Sequence, residues 1–405
     1  MGTDKKAPAP RRPDVKKITR VEELLPKARI MVNRKAADMY EGLQVKKGQK
    51  VLIINDPSAD QLVVEALATA IRENKAHLTI ILLEGFPGLK DPVDLLDNMF
   101  SNNWYPDWVW NAANEADIVL LTAFLKLAHT PIPPLSRKPI VDNVEMTADQ
   151  MISEYEEFPV ELRDIIGAVT WEKLALCSKL HWTDLEGTDL TLKVKPEAWQ
   201  EMIDDNMKKR GIAFKPGHLQ IPAPCVDMNG QYVSSSITFG GPVPPTTLII
   251  EGGKAVEVKG GGKYGDRLRE SFAKHKNLSS PDCPGPGVNW VTTIGLCTHP
   301  KASRSPFFDD LAGSARIYAW TYGHRRSGVI HTSVGEGLAS SKHKIIRHMD
   351  TCFNTIATDK GIIIENGRLT SLEDPRVRRV AEKFGNPDEL LKESWIPAIA
   401  GVNAP

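Results

Sequence analysis

The first half of the chain carries the strongest constraint on the fold: four short apolar runs set apart by segments of helical spacing. VLIIN (51–55), HLTIILLE (77–84), ADIVLLTA (116–123) and KPIVDNV (138–144) have the length and β-branched content of buried strands. Between the first two, DPSADQLVVEALATAIRENKA repeats its apolar residues at helical spacing, with Asp56 or Ser58 as cap. VEELLPKARIMVNRKAADMYEGL (21–43) also reads as helix. Strands alternating with helices predict a parallel sheet with helices on both faces. No GxGxxG or GxxxxGK[ST] follows these strands, so the backbone has no glycines with which to approach a pyrophosphate. The α/β half therefore reads as scaffold and part of a pocket wall.

Beyond a polar helical stretch at 145–180 the texture changes. TDLEGTDLTLKV (183–194), GQYVSSSITFGG (230–241), TTLIIEGGKAVEVKGG (246–261), GVIHTSV (328–334) and KGIIIENGRL (360–369) are β-prone runs with GG and NG pairs between them. Such pairs are hairpin chemistry. The expected organisation is a flexible arm rich in Lys, Arg, Pro and Ala (1–20), an α/β domain (21–165), and a mostly antiparallel α+β domain that binds metal and carries catalysis (166–405).

Composition narrows the function. The 51 Lys+Arg cancel the 51 Asp+Glu, which argues against a nucleic-acid partner. No run reaches the ~18 apolar residues of a membrane span, and the basic N-terminus leads into no apolar signal-peptide core. The five cysteines, Cys177, Cys225, Cys283, Cys297 and Cys352, are odd in number and form no CxxC. A reducing, cytoplasmic setting is expected.

Histidine placement is the clearest chemical signal. Of ten histidines, five (His299, His324, His331, His343 and His348) fall within 50 residues, where an even spread would put about one. Within the cluster, His348-Met349-Asp350 puts an imidazole and a carboxylate at i and i+2, on one face of an extended segment. That pair is two-thirds of the two-His-one-carboxylate set that holds Fe(II) with open positions. Asp350 as a local turn cap, and the cluster as surface histidines, are the competing readings. His331, in GVIHTSVGEGL, and His299, in TTIGLCTHPKASRSP, sit at strand ends beside turns, and His218 has the same setting in KPGHLQIPAP. No GxSxG or HExxH is present, which disfavours a nucleophile-elbow hydrolase and a zincin. Cys297 reads as a buried, inert thiol.

In order, GTDLTLKV, KPGHLQIPAP, NGQYVSSSITFGG, LIIEGGKAVEV, TTIGLCTHP, SGVIHTSVG, RHMD and IIIENGRL resemble the aminopeptidase T (leucyl aminopeptidase) family of metallopeptidases. The same order resembles the 2,5-dihydroxypyridine 5,6-dioxygenases on that fold. The resemblance covers roughly residues 170–370, and in both groups the HxD pair matches His348 and Asp350. His331 matches the peptidase histidine. The peptidase glutamates fall near Arg326, Thr293 and His218 or Leu219, so the carboxylates that bridge a second ion are missing. That implies the one-metal dioxygenase branch. The first dioxygenase histidine also falls near Thr293, so His299 or His331 must take over, and His299 is the expected third ligand.

The resemblance thus implies a mononuclear Fe(II) enzyme that opens a hydroxylated aromatic or N-heteroaromatic ring with O2. His299, His348 and Asp350 would hold the metal, and His331 and His218 would move protons. Arg325, Arg326 and Arg347 would orient a carboxylate or phenolate. A Zn, Mn or Co aminopeptidase is the alternative, and a non-catalytic binding protein on the same fold a second. The expected partners are a small aromatic substrate and O2, with no nucleic acid and no membrane; the resemblance also implies a homo-oligomer.

Overall fold

The computed structural model describes residues 7–37, 40–83, 88–95, 106–122, 140–223, 226–279, 283–335 and 346–405. His129, His343, Cys225 and Trp104 lie outside them. The chain divides into two compact units, one of residues 14–157 and 304–322, the other of residues 1–13, 158–303 and 323–405.

The first unit begins with α1 (Leu25–Asn33), followed by a two-stranded hairpin of β1 (Lys35–Ala37) and β2 (Tyr40–Leu43). The helix read over 21–43 therefore stops at Asn33. Its continuation is captured by backbone pairing of Lys35 with Leu43, and Val45 N–H returns to the carbonyl of Val32. Tertiary pairing overrides helix propensity here.

Next come β3 (Lys50–Asn55), α2 (Gln61–Glu73), β4 (His77–Leu82), α3 (Asp107–Glu115), β5 (Ile118–Leu121) and β6 (Ile140–Asn143). The strands form a parallel sheet in the order β4-β3-β5-β6. Leu52, Ile54, Val119 and Leu121 pack on Val109, Trp110 and Ala113 of α3. Val51, Ile53, Ile118 and Leu120 alternate with them and are equally buried, so both faces of the central strands are covered. Asp60 caps α2 by accepting from Leu62 N–H at 3.1 Å. The return of residues 304–322 to this unit has no signature in the local sequence pattern.

The second unit is built on one antiparallel sheet of 12 strands. In chain order they are β7 (Lys179–Asp184), β8 (Asp189–Val194), β9 (His218–Ile221), β10 (Val226–Ile237), β11 (Gly241–Glu251), β12 (Lys254–Gly260), β13 (Val291–Cys297), β14 (Ile330–Gly335), β15 (Ile346–Thr351), β16 (Asn354–Thr358), β17 (Gly361–Glu365) and β18 (Arg368–Leu369). The main path is β18-β17-β16-β7-β8-β10-β15-β14-β13-β9, with β11 and β12 extending from β10. β8 alternates buried Leu190, Leu192 and Val194 with exposed residues, whereas β14 is buried throughout. The NG pair works as read: Asn366 and Gly367 both take positive φ, +47° and +82°, which turns β17 into β18.

Of the segment read as a flexible arm, residues 7–20 are described. Arg11 and Ile396 exchange backbone hydrogen bonds of 3.0 and 2.9 Å, and Ile18 is buried. Cys177, Cys283, Cys297 and Cys352 are free thiols. Burial pushes the Cys297 thiol far up, which keeps it protonated and inert. Among the described residues no helix is long and apolar enough to cross a membrane.

Asp184, at the end of β7, is buried and accepts from Glu186 N–H and Phe353 N–H, each at 2.8 Å. Desolvation outweighs both bonds and pushes its carboxyl from 3.8 up to about 6. The unfolded carboxyl ionises first, so this residue withdraws stability as pH rises from about 4 to about 6, on the order of 3 kcal/mol. A carbon-detected NMR titration should give an Asp184 midpoint near 6, and a midpoint near 4 would contradict it.

Candidate active site

The centre of the antiparallel sheet gathers imidazoles on one face. β14 and β15 pair so that His331 lies opposite Asp350 and Ser333 opposite His348. Strand alternation turns all four to the same side and sends Thr332 and Met349 to the other. His331, His348 and Asp350 are 6, 1 and 1% exposed.

On the other side of β14, Gly295 of β13 stands opposite His331. Having no side chain, Gly295 lets the His218 ring enter from β9: a Cβ there would sit 2.2 Å from His218 Nε2. The ring centroid of His218 is thereby 6.1 Å from that of His331. His324 completes the group, 5.3 Å from His331 and 6.4 Å from His218. Phe239 closes it from the side, edge-on to His348 at 4.8 Å. Gly295→Ala should force the His218 ring away and cost ~1–3 kcal/mol in a urea unfolding curve. An alanine variant of unchanged stability with the ring in place would refute the close approach.

The hydrogen bonds assign the protons. Thr238 Oγ1 donates to Asp350 Oδ1 at 2.7 Å, which commits its one proton. Nδ1 of His331 faces that same hydroxyl at 3.0 Å and Asp350 Oδ1 at 3.3 Å, two oxygens with no proton to give. Nδ1 is therefore the N–H, and in the neutral ring Nε2 holds the lone pair. That nitrogen lies 3.0 Å from Nδ1 of His348, which also meets Ser333 Oγ at 2.7 Å. Two ring nitrogens at this distance share either a proton or a cation.

His218 differs from this pair. Its Nε2 is buried without a hydrogen-bond partner. Burial, then the charges of Lys215, His331 and Arg325, hold its basicity well below the ordinary histidine range. It is neutral at pH 7.

The expected residues separate into two groups. His218, His331, His348 and Asp350 come together. The His299 ring packs on Phe158 at 4.7 Å, and its Nδ1 accepts from Lys301 N–H at 3.1 Å. Arg325 is near enough for its charge to act on His218. Arg326 is buried elsewhere, donating to the carbonyls of Gly367 and Cys352 at 3.4 and 2.9 Å. Arg347 follows the alternation of β15 to the face opposite His348, where its charge acts on Tyr264. Thr238, Ser333, Phe239 and Gly295 were not singled out by the sequence, and His324 was named only as a member of the histidine cluster. HTS (331–333) and HMD (348–350), set antiparallel, would have exposed Ser333. Nothing local marks Thr238, which sits in the turn after β10.

The donor types, imidazole nitrogens and one carboxylate, fit a divalent transition metal. The spacing of the His331–His348 pair also fits, since two ligands at ~2.1 Å and right angles on one ion lie ~3 Å apart. Asp350 is turned to Thr238 and His331, and among the described residues no three His, Cys, Asp or Glu side chains form a ready metal-binding group.

Fold and site together define a mixed α/β protein with a buried imidazole–carboxylate cluster on an antiparallel sheet. No protein-family model and no curated protein sequence matches the chain. Among solved structures, it shares the fold of the 2,5-dihydroxypyridine dioxygenase of Pseudomonas putida KT2440, with a TM-score of 0.55, 16% identity, and 87% of this chain and 98% of that one covered. AmpT from Thermus thermophilus aligns with a TM-score of 0.47 and 14% identity over 86% of this chain and 99% of its own.

Proposed function

We propose that this chain is a mononuclear Fe(II) dioxygenase that opens a hydroxylated aromatic or N-heteroaromatic ring, in the cytoplasm. The observation that carries the reading is the buried His331–His348–Asp350 group with its two ring nitrogens 3.0 Å apart. His331 Nε2 and His348 Nδ1 would hold the metal, with His331 taking the place first given to His299; Asp350, first given as a ligand, instead takes the His331 Nδ1–H and would support that ring from behind. When bound, Fe(II) supplies open positions for a chelating ring and O2, and an electron path between them.

The chain's own residues do the rest. Asp350 and Thr238 fix the orientation of the His331 ring by taking its Nδ1–H, and Ser333 Oγ lies 2.7 Å from Nδ1 of His348. Phe239 walls off water from the ring pair. His218 is neutral and buried at Nε2, so it is the group suited to take a phenolic proton from the substrate. Arg325 remains the candidate for orienting a substrate anion. The fold shared with a dioxygenase supports the oxidative reading. A metal-dependent aminopeptidase is the second reading, favoured by the match of His331 to the peptidase histidine. Oxygen uptake against peptide cleavage, on the same Fe(II)- or Zn-loaded protein, separates the two.

A further inference from the structure

A second cavity lies in the same unit, with a volume of about 340 Å³, and no histidine lines it. Its lining sets Arg11, Arg326, Arg368, Arg378 and Lys392 against Glu373, Asp388 and Glu393. The three acids are already held. Arg368 pairs with Glu373 and Glu393, and Arg378 with Asp388 and Glu373. Lys392 has Glu389 at 3.8 Å. Arg11 and Arg326 have no carboxylate within 4.0 Å among the described residues. With Glu389 counted, five cations meet four acids, so one positive charge is unmatched. Arg326 is 3% exposed and donates to the carbonyls of Gly367 and Cys352. A buried cation without a counter-charge is costly and makes the space beside it electropositive. Arg11 brings donors to that space. Its backbone pairs with Ile396, and its Nη1 donates to the Glu393 carbonyl at 2.7 Å, so the guanidinium is fixed between two residues of the lining. Its Nε and Nη2 are unpaired and accessible. Asn366 Nδ2, also on the lining, is unpaired and accessible too. Phe353, Leu391 and Ile396 supply apolar wall.

We propose that this cavity binds a small monocarboxylate carrying an apolar group. Its two oxygens accept from the Nε–H and Nη2–H of Arg11, the planar fork that matches a carboxylate. Its single charge cancels the one left unmatched, and its apolar part rests on Phe353, Leu391 and Ile396. Arg326 acts through its charge alone, because its terminal nitrogens are turned to backbone carbonyls. An uncharged amide or alcohol of the same shape leaves the charge unmatched. This site is independent of the metal reading of the histidines. It also gives Arg326 a part in anion recognition, though at a different place from the one the sequence suggested.

The test is calorimetric titration of the whole protein, with the unfolding temperature as a check on each variant. Phenylacetate should bind saturably, one per chain, with a Kd on the order of 1 mM for a ten-atom ligand. Phenylacetamide and 2-phenylethanol should bind at least ~10-fold more weakly, a comparison that needs no variant to fold. Arg11→Gln leaves the backbone pairing with Ile396 available and should weaken phenylacetate ~10-fold. Asn366→Asp should weaken it as much, by setting a like charge against the ligand in a turn whose positive φ suits Asp as well as Asn. No binding of phenylacetate at ~20 mM would overturn the proposal. Equal binding of phenylacetamide would leave a merely apolar hole. Undiminished binding to folded Arg11→Gln and Asn366→Asp would put the carboxylate elsewhere, as at Arg325; either result also overturns it.

Discussion

Protein purified without oxygen and loaded with Fe(II) is expected to hold about one iron per chain, and His348→Ala less than a tenth of that. The expectation follows from the nitrogen pair. Thr238 and Asp350 fix the Nδ1–H of His331, which leaves the Nε2 lone pair 3.0 Å from Nδ1 of His348. A cation between them satisfies both rings, and removing one ring leaves only the other as a protein donor. Outer-shell partners of metal ligands typically contribute 10–100-fold in affinity, so Thr238→Val should lower iron affinity within that range while His299→Ala leaves it unchanged. Metal analysis of the four proteins, with thermal denaturation as a check on folding, reads this directly. Full iron in His348→Ala would mean that a proton, not a metal, lies between the rings. Loss of iron in His299→Ala, with its fold intact, would restore His299 as a ligand.

What the sequence disclosed of this site follows from how each residue is held. His348 and Asp350 are two apart on one strand, so strand periodicity alone puts them on one face. His331 and Ser333 obey the same rule one strand away, and only the register, His331 opposite Asp350, joins the pairs. Register is a tertiary fact and has no local signature. Gly295 makes the point from the other direction, because an empty position on β13 lets His218 enter from β9. A missing side chain reads in a sequence as a neutral glycine, not as part of a site. His299 was the expected third ligand because it follows by six residues Thr293, where the resemblance puts the first dioxygenase histidine. The turn after β13 instead sets its ring on Phe158, a contact with a residue more than a hundred positions earlier. In the fold, strand runs and NG turns were legible because their signals are local. The stop of α1 at Asn33 and the return of 304–322 to the first unit were not, because both depend on distant partners.

The Fe(II) protein, reconstituted with ascorbate, is expected to consume one O2 per ring opened on a hydroxylated pyridine or a substituted phenol, with loss of the aromatic ultraviolet band. It is not expected to cleave aminoacyl-p-nitroanilides with Zn, Co or Mn. A second dication beside the first needs carboxylates to bridge and neutralise it. Asp350 is the one carboxylate found in the cluster among the described residues, and the resemblance puts Thr293, Arg326 and His218 or Leu219 where the peptidase glutamates would stand. At 4 Å two divalent charges repel with roughly four times the energy of a unit pair, which alone is about 4 kcal/mol at an effective dielectric of 20. One ion with open positions remains, the arrangement suited to a chelating ring and O2. In the proposed reaction the neutral ring of His218 would supply the base, so His218→Ala should keep its iron and lose ~10²–10⁴-fold in turnover. The split between metal content and rate distinguishes a base from a ligand. Metal-dependent peptide cleavage with no O2 uptake across a panel of aromatics would reverse the ranking and make this an aminopeptidase that works with a single carboxylate.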